Sequence, residues 1–189
     1  DVIQSLVGAP DDAEIEPRLV EAYRKLISDA ELDQALVAKM LQLPSEAYLI
    51  ELTDNADVPA IHRARDAVLR HLAGALKAEL IACYQRHQDV GPYEVTPEAI
   101  ARRSLRNTAL AWLLMIDDQE GRELAVSQLS AADNMTDRMG ALRALVNSGF
   151  ESDRQQALDE FYDRFKDDPQ VVEQWFSVQA ASDQAGQLP

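Results

Sequence analysis

The hydrophobic positions of this 189-residue chain recur every three or four residues, the spacing that buries one face of an α-helix. The second half contains five helix-start signals, the first of them near residue 96. The last four lie 17, 18 and 16 residues apart, and no strand-type alternation occurs between them. Each stretch is too short to be stable alone. The pattern therefore predicts an all-α fold, an α-α superhelix of stacked antiparallel helix pairs. The predicted starts are Thr96, Asp117, Asn134, Ser152 and Asp168.

The first half predicts helices of unequal length. The predicted elements are a helix at 17–28, a helix after Asp29, a short helix capped by Ser45 and running through Leu52, and one continuous helix of about 30 residues from Asp57 to His87. Residues 1–7 have the pattern of the end of a helix that begins upstream, and the chain stops at Gln187-Leu188-Pro189 without an ending signal. We therefore expect residues 1–189 to be a single helical domain that is a fragment of a larger one.

Residues 109–116 form the most apolar segment, Ala-Leu-Ala-Trp-Leu-Leu-Met-Ile. A helix that is apolar all round must be buried on nearly all sides. This segment is the predicted centre of the core. Cys83 is the only cysteine and lies beside Ile81 and Tyr84 in a helical pattern, which predicts a buried, unreactive thiol.

The formal net charge of −15 changes which partners are expected. Affinity for nucleic acid depends on Lys and Arg side chains that displace counterions from phosphates, so a nucleic-acid partner is not expected. The same charge disfavours an anionic membrane surface. No apolar run approaches the roughly 20 residues needed to cross a bilayer.

Candidate catalytic and metal-binding chemistry is sparse. None of His62, His71 and His87 lies in an H-E-x-x-H motif, so we expect all three on helix surfaces rather than as metal ligands. A group of three carboxylates lies at a predicted helix start, where negative charge complements the helix dipole, and capping is favoured there over acid–base chemistry. These carboxylates are Asp117, Asp118 and Glu120.

Two further features have a structural and a functional interpretation. Asn107, which follows Arg106, shares a helical stripe with apolar residues and is expected to point inward. A buried amide needs hydrogen-bond partners, so a structural bond is favoured over substrate contact. The Trp175-Phe176 pair is expected to pack in the core. No residue is thus assigned a catalytic, cofactor-binding or metal-binding role.

Three segments together resemble bacterial aminopeptidase N, the alanyl aminopeptidase family of zinc metallopeptidases. They occur in the same order and at similar intervals as in that family. The segments are Arg103-Ser104-Leu105-Arg106-Asn107, Asn134-Met135-Thr136-Asp137 followed by Ala141-Leu142, and Trp175-Phe176-Ser177-Val178-Gln179-Ala180. Leu43-Pro44-Ser45-Glu46 and the helix from Pro59 also look like that family.

The resemblance implies the first and larger part of the family's C-terminal helical domain, a superhelix that closes over a thermolysin-like catalytic domain and encloses a chamber through which peptides reach the zinc. The family's H-E-x-x-H helix and G-A-M-E-N segment do not occur in this sequence. The resemblance therefore implies no cofactor in this chain, zinc in the parent enzyme, and no activity of the chain alone. The implied partners are the catalytic domain of the same polypeptide and, in the parent, peptide substrates. A cytoplasmic location is expected separately, because a single cysteine fits a reducing compartment.

Two other hypotheses remain. One is a free-standing helical-repeat scaffold that binds a protein partner along its concave face. The other is a small helical-bundle enzyme, which would need inward-facing pairs of acidic residues. A reading frame that extends upstream and encodes H-E-x-x-H would favour the peptidase.

Overall fold

The computed structural model describes residues 2–7, 15–89, 91–182 and 184, and within these ranges it contains eleven α-helices and no strand. The prediction of an all-α superhelix is confirmed. In chain order the helices are α1 (Val2–Leu6), α2 (Pro17–Ser28), α3 (Gln34–Met40), α4 (Glu46–Glu51), α5 (Val58–Ala75), α6 (Lys77–Arg86), α7 (Pro97–Met115), α8 (Gln119–Ala131), α9 (Met135–Val146), α10 (Glu151–Phe165) and α11 (Pro169–Ala180). The expectation that residues 1–7 end a truncated helix stays a prediction, and the segment 187–189 lies outside the described residues.

Helix α7 is the centre of the structure, because it packs against α3, α5, α6, α8 and α9. Its apolar segment 109–116 supplies much of the core, as the sequence predicts. Ala111 is exposed, and Met115 and Ile116 at the end of the segment are half-buried. The buried members of the segment are Ala109, Leu110, Trp112, Leu113 and Leu114.

From α7 onward the helices stack in sequence order. Helix α8 packs on α7 and α9, α10 packs on α9, and α11 packs on α10. Helix α9 also packs on α7, so the later helices bury their apolar faces against helices one or two places away in the chain, as in a helical-repeat array.

Three of the five predicted helix starts are confirmed by their capping bonds. The side chains of Thr96, Asn134 and Asp168 each accept a hydrogen bond from a backbone N–H in the first turn of the helix that follows. Ser45 caps α4 in the same way. Such bonds satisfy N–H groups that have no partner within the helix.

The predicted start at Asp117 is wrong by one residue. Asp118 caps α8 and accepts from the backbone N–H of Gly121 at 2.8 Å. Asp117 instead adopts a positive φ of 50° and accepts from the backbone N–H of Gly149 at 2.6 Å. The turn before α8 is thereby bonded to the turn after α9, a tertiary contact that the local pattern does not show.

The predicted start at Ser152 is also wrong. Helix α10 begins at Glu151 after Phe150, whose side chain makes no capping bond. The backbone N–H of Phe150 donates to the hydroxyl of Ser148 at 3.3 Å, so the chain has already turned toward the helix before Ser152.

Helix α3 starts later than predicted. Asp29 accepts from the backbone N–H of Glu31 at 2.9 Å and so closes a local turn, whereas Asp33 caps the helix by accepting from the N–H of Leu36 at 2.8 Å. Short acidic side chains often form such turns in competition with helices.

The predicted continuous helix from Asp57 to His87 is two helices, α5 and α6, which meet at Leu76. Leu76 has φ −115° and ψ 16° and is fully buried. Arg24 of α2 donates from Nη2 to the carbonyl of Ala75 at 3.3 Å and from Nε to Glu79 at 2.6 Å. A side chain that bonds a helix carbonyl from outside is a recognised cause of a break.

We predict that Gly121→Ala destabilises the fold. A Cβ at Gly121 of α8 would lie 2.7 Å from the Cβ of Leu113 in α7, so the two helices would have to separate. Overpacking of this kind costs about 1–3 kcal/mol of unfolding free energy. Urea denaturation measures the change.

Gly74→Ala is the matched control. A Cβ there meets nothing within 4 Å, and alanine is favoured over glycine in a helix, so a gain of about 0.5 kcal/mol is expected. Equal effects of the two substitutions would contradict the close approach of α7 and α8.

Candidate functional site

A groove of about 630 Å³ lies among the described residues, bordered by α5, α7 and α9. This volume is within the range of small-ligand sites. Because α7 packs against both α5 and α9, it forms the floor and they form the two sides. The lining includes Arg65, Asp66 and Arg70 from α5, Ser104, Asn107, Thr108 and Ala111 from α7, and Gly140, Arg143, Ala144 and Asn147 from α9 and its C-cap.

Helical spacing explains why these residues share one surface. Positions three, four and seven residues apart lie on the same face of a helix, and the lining residues of each helix follow that spacing. Ala111 is part of this floor, which is why this residue of the apolar segment 109–116 is exposed.

The two arginines of α5 are held by backbone carbonyls. Arg65 donates from Nε to the carbonyl of Pro44 at 2.9 Å. Arg70 donates from Nε to Asp66 at 2.7 Å and from Nη1 to the carbonyl of Met115 at 2.5 Å. The bond to Met115 ties the side of the groove to the C-terminal end of α7.

A buried polar network lies beside the floor and joins α7, α8 and α9. The carboxylate of Asp137 accepts from Arg106 at 3.2 Å, from Asn107 at 3.1 Å and from Asn134 at 2.9 Å. Gln128 donates to Oδ1 of Asn107 at 2.7 Å and to the carbonyl of Asp137 at 2.8 Å. The structural hydrogen bond predicted for Asn107 is confirmed.

The network also sets how closely α9 approaches α7. A Cβ at Gly140 would lie 2.6 Å from Oδ1 of Asn107, so only glycine fits there without a shift. The conformation of Asn107 is therefore fixed by hydrogen bonds and by packing.

A second buried arginine, Arg103, anchors the N-terminal half of α7. It donates to Asp89 at 3.0 Å and to the carbonyl of Glu94 at 2.8 Å. Burial raises the pKa of Asp89, but the bonds from Arg103 and Arg102 lower it more, so the pKa is below its usual value. The segments 103–107 and 134–137 thus act as structural anchors.

A protein-family model described as "Domain of unknown function (DUF3458_C) ARM repeats" matches residues 1–189. This chain belongs to that family. The ARM-repeat description agrees with the sequential stacking of helices in this DUF3458_C domain.

Curated relatives are larger proteins. The chain is 35% identical over 170 residues to aminopeptidase N of Escherichia coli (strain K12), a match that covers 90% of this chain and 19% of that protein. It is 32% identical over 178 residues to aminopeptidase N of Caulobacter vibrioides, covering 94% of this chain and 20% of that protein. The chain thus spans about a fifth of the length of these relatives.

A solved structure shows the same fold. The crystal structure of Legionella pneumophila aminopeptidase A in complex with aspartic acid matches with a TM-score of 0.81 and 27% identity, covering 97% of this chain and 22% of that one. The resemblance to the C-terminal helical domain of bacterial aminopeptidase N is confirmed.

The three histidines of this DUF3458_C domain lie in different surroundings. His71 is exposed, and His62 lies beside the groove with Nδ1 2.8 Å from Oε1 of Glu46. The surface prediction is wrong for His87, which is 5% exposed, because α6 packs its C-terminal end against α2 and α7. Nδ1 of His87 is 2.7 Å from the carbonyl of Cys83, and burial lowers the pKa of this imidazole although that bond opposes the shift.

Cys83 is fully buried, as predicted. Burial raises the pKa of its thiol to about 11. Because of this raised pKa, little of the thiolate, which is the reactive form of cysteine, exists near neutral pH.

The described residues do not fit a zinc site, because no three His, Cys, Asp or Glu side chains in that part of the chain are grouped as ligands. Of the three carboxylates near residue 118, Asp118 caps α8 as expected and also pairs with Lys77. No described helix is long and apolar enough to span a membrane.

The Trp175-Phe176 pair is divided between core and surface. Trp175 donates from Nε1 to the carbonyl of Leu158 at 3.0 Å and packs against the core, as predicted. Phe176 is 59% exposed, so the prediction of core packing is wrong for it. Adjacent residues on a helix point about 100° apart, which places only one of the two inward.

Sequence reasoning missed the groove arginines. Arg65 and Arg70 have the spacing of a solvated helix face, and Arg143 lies on a helix distant in the sequence. Only the packing of α5, α7 and α9 brings them to one concavity, so no local signal could have identified them.

We predict that Asp137→Ala destabilises the fold by about 3–5 kcal/mol, because it leaves the buried guanidinium of Arg106 without its counter-charge. Urea denaturation measures the loss. Asp159→Ala, which removes an exposed carboxylate bonded to Gln155, is the control and should change stability by less than about 0.5 kcal/mol. A similar loss in both variants would contradict the anchoring role of Asp137.

A second prediction concerns pH. The fold lowers the pKa of His87. As the pH falls, His87 is therefore protonated in the unfolded chain, near its ordinary pKa of about 6.5, before it is protonated in the folded chain. The contribution of His87 is fully present above that pKa and is lost as the pH falls through the lowered pKa of the folded state. The difference in unfolding free energy between pH 7.5 and pH 5.5 should therefore shrink in His87→Gln.

His71→Gln is the control, since it removes an exposed imidazole. It should keep the pH difference of the parent chain. If His71→Gln shrinks the pH difference in unfolding free energy and His87→Gln keeps it, the burial of His87 is not the cause of the pH dependence.

Proposed function

We propose that this chain is a non-catalytic helical domain of a zinc-dependent aminopeptidase N that removes N-terminal residues from peptides. The observation that carries the proposal is that the whole chain matches one family, and that its relatives named aminopeptidase N contain it as about a fifth of their length. The catalytic domain would be the partner, in the same polypeptide.

The chemistry of the described residues supports a non-catalytic role. None of His62, His71 and His87 belongs to a group of three possible metal ligands among the described residues, and the lone thiol of Cys83 is buried with a raised pKa. Zinc in the parent enzyme would polarise the scissile carbonyl and activate water, chemistry for which the described part of this chain offers no ligand set.

We further propose that the groove between α5 and α9 faces the chamber that holds the peptide. Its small floor residues, Ser104, Thr108 and Ala111, leave room for an extended chain. The free-standing scaffold is not favoured, because the curated relatives carry this sequence within much longer proteins. A cytoplasmic location also remains a proposal, in agreement with a single unpaired cysteine.

The proposal predicts a reading frame that extends upstream of this chain and encodes H-E-x-x-H. It also predicts that the purified chain alone does not hydrolyse an alanyl anilide when zinc is added. A frame without that motif, or zinc-dependent turnover by the chain itself, would refute the proposal.

The position of the groove has its own test in the natural polypeptide. Ala111→Trp fills the floor and should slow hydrolysis of peptides of about ten residues severalfold while turnover of an alanyl anilide is kept, since only the longer substrate extends into the groove. Ala78→Trp, on the exposed face of α6, is the matched control. If Ala111→Trp and Ala78→Trp hydrolyse each of the two substrates at the same rate, the groove does not face the chamber.

A further inference from the structure

We propose that the groove binds a carboxylate group of a peptide through the guanidinium groups of Arg65 and Arg143. The peptide as ligand rests on the proposed function, whereas the recognition of a carboxylate rests on the charges and hydrogen bonds of the groove itself. The carboxylate could belong to an acidic side chain or to the C-terminus of the peptide, two sources of the same chemistry.

The charge of the groove is opposite to that of the chain. The chain has 33 acidic and 18 basic side chains, yet the groove is lined by three arginines and one acidic residue, Asp66. Asp66 is already paired with Arg70 at 2.7 Å. Arg65 and Arg143 therefore carry positive charge with no carboxylate partner among the described residues.

The guanidinium of Arg65 is positioned for an external acceptor. Its Nε is bonded to the carbonyl of Pro44 at 2.9 Å, which limits the motion of the side chain. No described residue accepts from its two terminal NH2 groups. A fixed guanidinium with two unused NH2 groups has the geometry that binds a carboxylate with little further loss of entropy.

Arg143 approaches from the other side of the floor. It lies on α9, Arg65 lies on α5, and α7 is between them. The side chain of Arg143 is exposed and makes no ion pair within the described ranges. A ligand on the α7 floor is thus flanked by positive charge on both sides.

The floor itself offers little competing polar chemistry. Thr108 donates its hydroxyl to the carbonyl of Ser104 at 2.9 Å, and the amide of Asn107 is used in the Asp137 network. The guanidinium groups are the permanently charged donors of the groove, so the selective contact is with an anion. A peptide carboxylate suits this site better than a polyanion, because the chain as a whole would repel a nucleic acid.

The test is a titration of the ¹⁵N-labelled 189-residue chain followed by NMR, with three capped peptides of equal length. The first is acetyl-pentaalanine with a free C-terminus, the second is its C-terminal amide, and the third is the amide with glutamate at the central position. We expect at least one carboxylate peptide to bind about tenfold more tightly than the neutral amide, with shifts at Ser104, Thr108 and Ala144. Comparison of the first and third peptides identifies the source of the carboxylate.

Arg143→Gln and Arg65→Gln should each weaken carboxylate binding about fivefold or more and leave the weak binding of the neutral amide unchanged. Arg63→Gln is the matched control, since it removes the same charge from an exposed position of α5 outside the groove, and it should change affinity by less than about twofold. Arg143 has no described side-chain bond to lose, so this variant keeps the test valid even if Arg65→Gln disturbs the contact with Pro44.

Three results would overturn the inference: equal binding of the neutral amide and both carboxylate peptides, equal weakening by Arg63→Gln and Arg143→Gln, or tighter binding of inorganic phosphate or a single-stranded oligonucleotide than of any peptide.

The outcome of this titration is separable from the test of the proposed function. If the upstream frame encodes H-E-x-x-H and no carboxylate peptide binds, the groove assignment alone is wrong. If carboxylate peptides bind and the frame lacks the motif, the groove stands and the peptidase proposal fails.

Discussion

The buried ion pair between Arg106 and Asp137 is the interaction on which the arrangement of the second half of the chain depends. Both side chains are almost inaccessible, with 10% and 4% of their surfaces exposed. Removing charge from water is costly, and that cost is offset only when the geometry is good and the remaining hydrogen-bonding groups are satisfied. Asn107 and Asn134 supply further donors to Asp137, so the carboxylate fixes α7 and α9 in one register.

The same register creates the groove. Asn107 lies both in the network and in the groove lining, and Gly140 allows α9 to approach it closely. The apolar face of α7 forms the core, while the opposite face presents small polar residues to the concavity. Three arginines and one aspartate line that concavity, so the acidic excess of the chain lies elsewhere, a separation of charge that attracts anions to one place on an otherwise acidic protein.

Helical periodicity was enough to predict the all-α fold and the central position of residues 109–116. It also predicted that Asn107 points inward; the side chain makes the expected hydrogen bonds, but it is half-buried and lines the groove rather than the apolar core. It could not predict the break at Leu76, because Leu72, Leu76 and Leu80 keep the same spacing across it, and the break involves Arg24 from a different helix. Likewise, nothing local distinguishes Asp117 from Asp118 as a cap, since the choice depends on Gly149, which follows α9. The groove is a product of tertiary packing, so its arginines resembled an ordinary solvated surface.

The junction at Leu76 has a consequence for how this sequence can vary in length. Polar turns such as those between the later helices can absorb an extra residue, but α5 and α6 are separated by Leu76 alone. One inserted residue would rotate α6 by about 100° about its own axis. Leu80, Cys83 and Tyr84 would then turn away from the interior, so this joint tolerates substitution far better than insertion or deletion.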